Sequence, residues 1–115
     1  MTEIYPKGGQ KTSVDMNTNA TTTGMDTSTC DQVTFYVNGL TGAHANHIVT
    51  LQFSHEDVDG SYQNSTHTKT GQGCVQVTDI KSVAWIRLKV TTVEGGVSTA
   101  DLCVDPSREK AKRFC

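Results

Sequence analysis

Ser54-His55-Glu56-Asp57 sets a hydroxyl, an imidazole and two carboxylates in consecutive positions, the residue types of an acyl-transfer triad. Their spacing argues against that use. Neighbours along a strand point to opposite faces, so the four cannot converge on one another. No Gly-x-Ser-x-Gly elbow accompanies them. The expected structure is a polar strand end running into a turn. Asp57-Val58-Asp59-Gly60 has the start of a calcium loop, but position 66, where that pattern needs Glu, is Thr66. A looser cation site from Glu56, Asp57 and Asp59 is one reading. An Asp-Gly hairpin turn is the other. His44 and His47 could offer two imidazoles to a metal, but a third ligand is not evident and the segment reads as a polar loop. Gly71-Gln72-Gly73 is not followed by Lys-Ser/Thr or a helical pattern, so it is not a phosphate loop. The expectation is a protein that is not an enzyme, with no metal, cofactor or small-molecule substrate.

The four cysteines, Cys30, Cys74, Cys103 and Cys115, form no Cys-x-x-Cys pair, which argues against a zinc ribbon or a thioredoxin-type site. Met1 to Lys7 contains no apolar run of the secretory kind, so Asn19-Ala20-Thr21 and Asn64-Ser65-Thr66 are read as chance glycosylation sequons and the thiols as reduced.

The elements that carry these residues are legible from patterning. Val33, Phe35 and Val37 alternate with polar neighbours, as do Val49, Leu51 and Phe53, and Ile86, Leu88 and Val90. Val75 and Val77 flank Gln76, and Leu102 and Val104 flank Cys103. Period-two alternation of β-branched and aromatic residues predicts strands that bury one face. Asn38-Gly39, Thr41-Gly42, Asp59-Gly60, Gly71-Gln72-Gly73 and Glu94-Gly95-Gly96 punctuate them. Weaker strands are expected near Ser61–Lys69 and Lys81–Trp85. The fold class is all-β: a small antiparallel, jelly-roll-like β-sandwich over residues 30–105, closing on Phe35, Leu51, Phe53, Val77, Ile86 and Leu88. Trp85 lies on the other parity, at the core rim or on the surface.

Residues 1–29 read as an extended N-terminal arm, since Thr18 to Thr29 has almost nothing apolar to bury. Either a partner chain holds the arm or it wraps its own domain. Residues 106–115 read as a basic C-terminal tail. Asp105 there would cap a short helix with Pro106 at its first position. Of the 115 residues 18 are Thr, and the net charge of −2 gives no global attraction to nucleic acid or anionic membrane. No apolar run is long enough for a transmembrane helix. The charge is uneven: the tail carries Arg108, Lys110, Lys112 and Arg113 against Glu109, on an acidic body. Tyr5, Lys7, Lys11, Met16 and Met25 of the arm, with Arg108, Lys112 and Arg113 of the tail, are the candidate partner-binding residues.

Val49 to Tyr62, a strand followed by an Asp-Gly-Ser turn leading to an aromatic, and Val83 to Leu102, a closing hairpin, together resemble the small jelly-roll-like decoration (cement) proteins of tailed-bacteriophage capsids. The likeness spans roughly residues 30–104. Tyr62 stands where the family pattern often has Trp, and a basic tail ending in Cys115 is not a family feature. The resemblance implies a virion structural protein, made in the host cytoplasm, that sits on the capsid surface and bridges major capsid protein subunits. It also implies a homo-oligomer, a trimer ahead of a dimer. In such a sandwich the first and last strands commonly run as antiparallel neighbours, which makes Cys30–Cys103 the candidate disulfide. Cys74 is the alternative partner, and Cys115 suits a contact between subunits. The alternative function is a carbohydrate-binding β-sandwich of a phage tail, baseplate or adhesin, with Tyr36, Tyr62 and Trp85 stacking on sugar rings.

Overall fold

A computed structural model describes residues 10–28, 30–41, 47–93 and 99–107. Among these residues the chain forms eight strands: β1 (Gln10–Asp15), β2 (Met25–Asp26), β3 (Gln32–Asn38), β4 (Ile48–Ser54), β5 (Gln63–Thr70), β6 (Gly73–Val77), β7 (Trp85–Thr92) and β8 (Thr99–Ser107). They form two antiparallel four-stranded sheets, ordered β1-β8-β3-β6 and β2-β7-β4-β5. The expected small antiparallel sandwich is therefore the fold. No helix among the described residues is long and apolar enough to cross a membrane.

Each sheet turns one face inward. Val33, Phe35, Val37, Leu102 and Val104 from the first sheet meet Val49, Leu51, Ile86, Leu88 and Val90 from the second. All are buried, and Val77 and Ile80 complete the layer. At roughly 1.5–3 kcal/mol per fully buried aliphatic or Phe side chain, these contacts are the main favourable term of folding. Phe53, expected in the core, is only partly buried and packs against its edge. The strand expected near Ser61 is β5. The one expected over Lys81–Trp85 is a turn closed by the Val83 N–H donating to the Ile80 carbonyl at 3.0 Å, and β7 starts at Trp85.

Three expectations change. First, over residues 10–28 the arm belongs to the sandwich. β1 pairs with β8 from Gln10↔Val104 to Asp15↔Thr99, and β2 pairs with β7. The Thr22 N–H donates to the Leu88 carbonyl, and the Thr22 hydroxyl accepts from the Leu88 N–H, both at 2.9 Å. Backbone pairing and threonine hydroxyls supply what the segment lacks in apolar side chains. Second, Asp105 and Pro106 do not begin a helix. Both lie in β8, where Pro106 is opposite Val33. The described β1 ladder ends at Gln10↔Val104, so at Pro106 only β3 flanks β8 among the described residues. A strand tolerates proline where one side has no ladder to donate to. Third, Asp59-Gly60 is not a hairpin turn but part of a 3-10 turn, Asp59–Ser61. Gly39 does take the positive φ (63°) needed to leave β3.

Candidate functional site

The two solvent-facing sheet surfaces carry the polar residues of interest. On the first sheet, β3 sits between β8 and β6, and Tyr36 is opposite Cys103 on one side and Cys74 on the other. Lys11 of β1 is opposite Cys103. The register thus lays Lys11, Cys103, Tyr36 and Cys74 in one row across the face. Tyr36 is half-buried in a groove of about 370 Å³ whose rim is Gln10, Lys11, Asn38 and Asp105. Beside it, Lys11 Nζ lies 3.7 Å from Asp101, which also accepts from the Ser13 hydroxyl at 2.6 Å. A central Tyr between two thiols, ringed by polar groups, has the anatomy of a protein-docking face.

The second sheet holds a buried cation. Arg87 occupies the outward position between core residues Ile86 and Leu88, yet is only 8% exposed. The segment after β4 folds over it. Arg87 Nε donates to Gln52 Oε1 at 2.7 Å and Nη1 donates to Asp59 Oδ1 at 2.6 Å. The guanidinium lies 4.2 Å from the Tyr62 ring centre, a cation–π arrangement. Gln52 Nε2 donates onward to Asn64 Oδ1 at 2.8 Å, and the Tyr62 hydroxyl donates to Asp57 Oδ1 at 2.9 Å. Gly24 closes the cluster: a Cβ there would overlap the Tyr62 hydroxyl and the Asp57 carboxylate. The hydrogen bond from Arg87, and its charge, hold the Asp59 carboxyl below its ordinary value. Burial, then the hydrogen bond to Asp57, pushes the Tyr62 hydroxyl up. Next to this cluster a polar groove of about 420 Å³ runs between Asn19, Gln63, Asn64, Lys89 and Thr91.

These contacts account for several of the singled-out residues. Glu56 accepts from Ser61, Asp57 from Tyr62 and Asp59 from Arg87, so the three carboxylates of the looser cation site are each engaged separately. Among the described residues, no three His, Cys, Asp or Glu side chains are grouped to hold a metal. His47 is buried at the start of β4, and His44 lies outside the described residues. Lys11 is exposed on β1. Met16 is corrected as a partner-binding residue, being 1% exposed within the core, while Met25 is half-buried and packs against that core. Tyr5, Lys7, Arg108, Lys112 and Arg113 lie outside the described residues, as does Cys115.

β3 and β8 are antiparallel neighbours as expected of the first and last body strands, yet Cys30 and Cys103 are free. Cys103 is opposite Tyr36, six residues along the chain from Cys30, about 20 Å at strand rise. Cys103 alternates with buried Leu102 and Val104 and faces outward, whereas Cys30 is buried. The three aromatics of the carbohydrate reading are also apart. Tyr36 is on the first sheet, Tyr62 is 7% exposed under Arg87, and Trp85 begins β7 opposite Asp26 and Ser54. The Arg87 cluster was not foreseen. Its one sequence signal is a charged residue inside an otherwise apolar strand.

No protein-family model matches the chain, and no curated protein matches it. Among solved structures it is similar to the crystal structure of the SPBc2 prophage-derived protein YomS, at 14% identity and a TM-score of 0.44, covering 84% of this chain and 95% of that one. A likeness at that level assigns no function to this chain.

Proposed function

We propose that this protein is a virion structural protein that binds the outside of an assembled phage capsid and stabilises it by bridging major capsid protein subunits. The observation that carries the reading is the outer face of the β1-β8-β3-β6 sheet, with Tyr36 at its centre and a polar rim. Such a face offers a rigid aromatic anchor on regular strands, and it suits a flat protein surface better than an enclosed small molecule. The binding partner is the major capsid protein, the bound state is homo-oligomeric, and no catalysis is involved. Cosedimentation of the full chain with purified shells tests it. Retention on assembled shells but not on free capsid subunits supports the reading; no retention on shells overturns it.

A second reading, carbohydrate binding, draws on the other sheet. There Arg87 fixes Gln52, and Gln52 fixes Asn64, so the groove beside Lys89 presents an amide in a set orientation. Planar amides of fixed orientation suit vicinal hydroxyls. A glycan-binding assay on the free protein separates the two.

A further inference from the structure

Four strands end the two sheets: β1 and β6 in the first, β2 and β5 in the second. An edge strand presents unpaired backbone N–H and C=O groups, a template for another strand. Three of the four are blunted. β2 has two residues. β5 slips register against β4 between Thr50 and Gln52. β6 lies against β5, where the chain crosses from one sheet to the other. β1 keeps an unbroken register with its neighbour over six pairs, and among the described residues nothing pairs with its other side.

The sequence of β1, Gln10-Lys11-Thr12-Ser13-Val14-Asp15, is charge-complementary to its own reverse. Val14 points inward, while Lys11, Ser13 and Asp15 are exposed on the outer face. Directly opposed residues in an antiparallel pair share a face, so two copies joined with matching faces must set odd positions opposite odd ones. Centring such a pair on Ser13 places Lys11 opposite Asp15 twice and Thr12 opposite Val14 twice. Centring it on Thr12 or Val14 puts Lys11 or Asp15 opposite Ser13 and forms neither ion pair.

We infer that two copies of this chain join β1 to β1 across a two-fold axis at Ser13, extending the four-stranded sheet to eight strands. Backbone pairing supplies the association, and the two Lys11–Asp15 pairs select the register. Lys11 has three ammonium donors and uses one direction toward Asp101. Asp15 accepts the Asn17 N–H through Oδ1, and a carboxylate has further acceptor capacity. The axis stands perpendicular to the sheet, so both Tyr36 grooves open on the same side. This replaces the three-fold arrangement expected from the resemblance with a two-fold one, and it does not depend on what the Tyr36 face binds.

Sedimentation equilibrium of the full chain tests it, the expected species being twice the 12.4 kDa chain mass. Asp15→Lys alone sets lysines opposite each other, and Lys11→Asp alone sets carboxylates opposite each other. Each is expected to weaken the dimer about tenfold. An equimolar mixture is expected to restore it, because in the mixed pair every position 11 faces an opposite charge at position 15. Lys11→Asp also brings a carboxylate to Asp101, so a second variant avoids that position. Ser13→Cys, on mild oxidation, is expected to give a disulfide between the two substituted positions, mapped by peptide mass, since facing Cα atoms lie within disulfide range. A wild-type monomer or trimer overturns the inference. So does a Ser13→Cys protein linked only through its native thiols. None of these measurements uses shells, so their failure and a failure of shell binding are read separately.

Discussion

Arg87 shows how one side chain decides a local structure. A guanidinium on the solvent side of a sheet would ordinarily stay wet, since leaving water costs several kcal/mol unless the charge is matched. Here Asp59, Gln52 and the Tyr62 ring supply the match, and the segment after β4 is held down as a result. The two partners differ: the Arg87 side chain is 9% exposed and the Asp59 side chain 89%. The buried member carries the energy. Arg87→Met is expected to lower stability by about 1–3 kcal/mol, read from chemical denaturation, because Gln52 is left with an unpaired acceptor. Asp59→Asn is expected to cost less, since water reaches that carboxylate. The folded carboxyl sits below its ordinary value of 3.8, so its contribution is present above about pH 4 and is lost as pH falls through the lowered value. The stability gap between wild type and Asp59→Asn should therefore be constant above about pH 4 and close below it. Cys30 gives a second test at this scale. Burial, then the charges of Asp31 and Asp26, push its thiol up to about 11. Relative to an ordinary value of 9.0 this leaves about a hundredfold less thiolate at neutral pH. Alkylation of the native protein is expected to label Cys74 and Cys103 first and Cys30 only on unfolding. Equal labelling rates would contradict its burial.

At the scale of elements, what could be read from sequence follows how much each strand buries. β3, β4, β7 and β8 carry deeply buried apolar residues at alternate positions, and their period-two pattern was visible. β1 and β2 were not, because Gln-Lys-Thr-Ser-Val-Asp contributes only Val14 to the core and Met-Asp is too short to show a period. Their order comes from ladder hydrogen bonds and threonine hydroxyls, which leave no hydrophobic trace in sequence. The same holds for the Arg87 cluster, which joins β4, the following turn and β7 through contacts up to 35 residues apart. Proline misled in the other direction: Asp-Pro is a sound helix-start signal, but pairing with β3 overrode it at Pro106. The arm's new place changes what truncation should do. Removing residues 1–28 takes away two edge strands together with Val14 and Met16, and is expected to abolish a cooperative thermal transition. Met16→Ala alone should cost about 2–5 kcal/mol, the range for emptying a fully buried Met site. A truncated body that melts like the full chain would mean that β1 and β2 add little to the sandwich.

For the whole molecule, the decisive feature is that its two polar surfaces lie back to back. The Tyr36 face belongs to the first sheet and the Lys89–Asn64 groove to the second, with the apolar core between them. The two faces can be altered separately, so paired variants can assign function to a side. Tyr36→Ala removes an anchor from the centre of the first face without emptying the core, since Tyr36 points away from Phe35 and Val37. Truncating a central aromatic anchor commonly costs about 2 kcal/mol or more, on the order of thirtyfold or more in affinity. Asn64→Ala with Lys89→Ala strips the second groove of its oriented amide and its cation while leaving Arg87 paired with Asp59. If the protein is a capsid-binding structural module that docks through the first sheet, Tyr36→Ala should lose shell cosedimentation and the groove variant should keep it. If it is a carbohydrate module, the groove variant should lose glycan retention and Tyr36→Ala should keep it. Shell binding that survives Tyr36→Ala but not the groove substitutions would move the docking face to the other side of the sandwich.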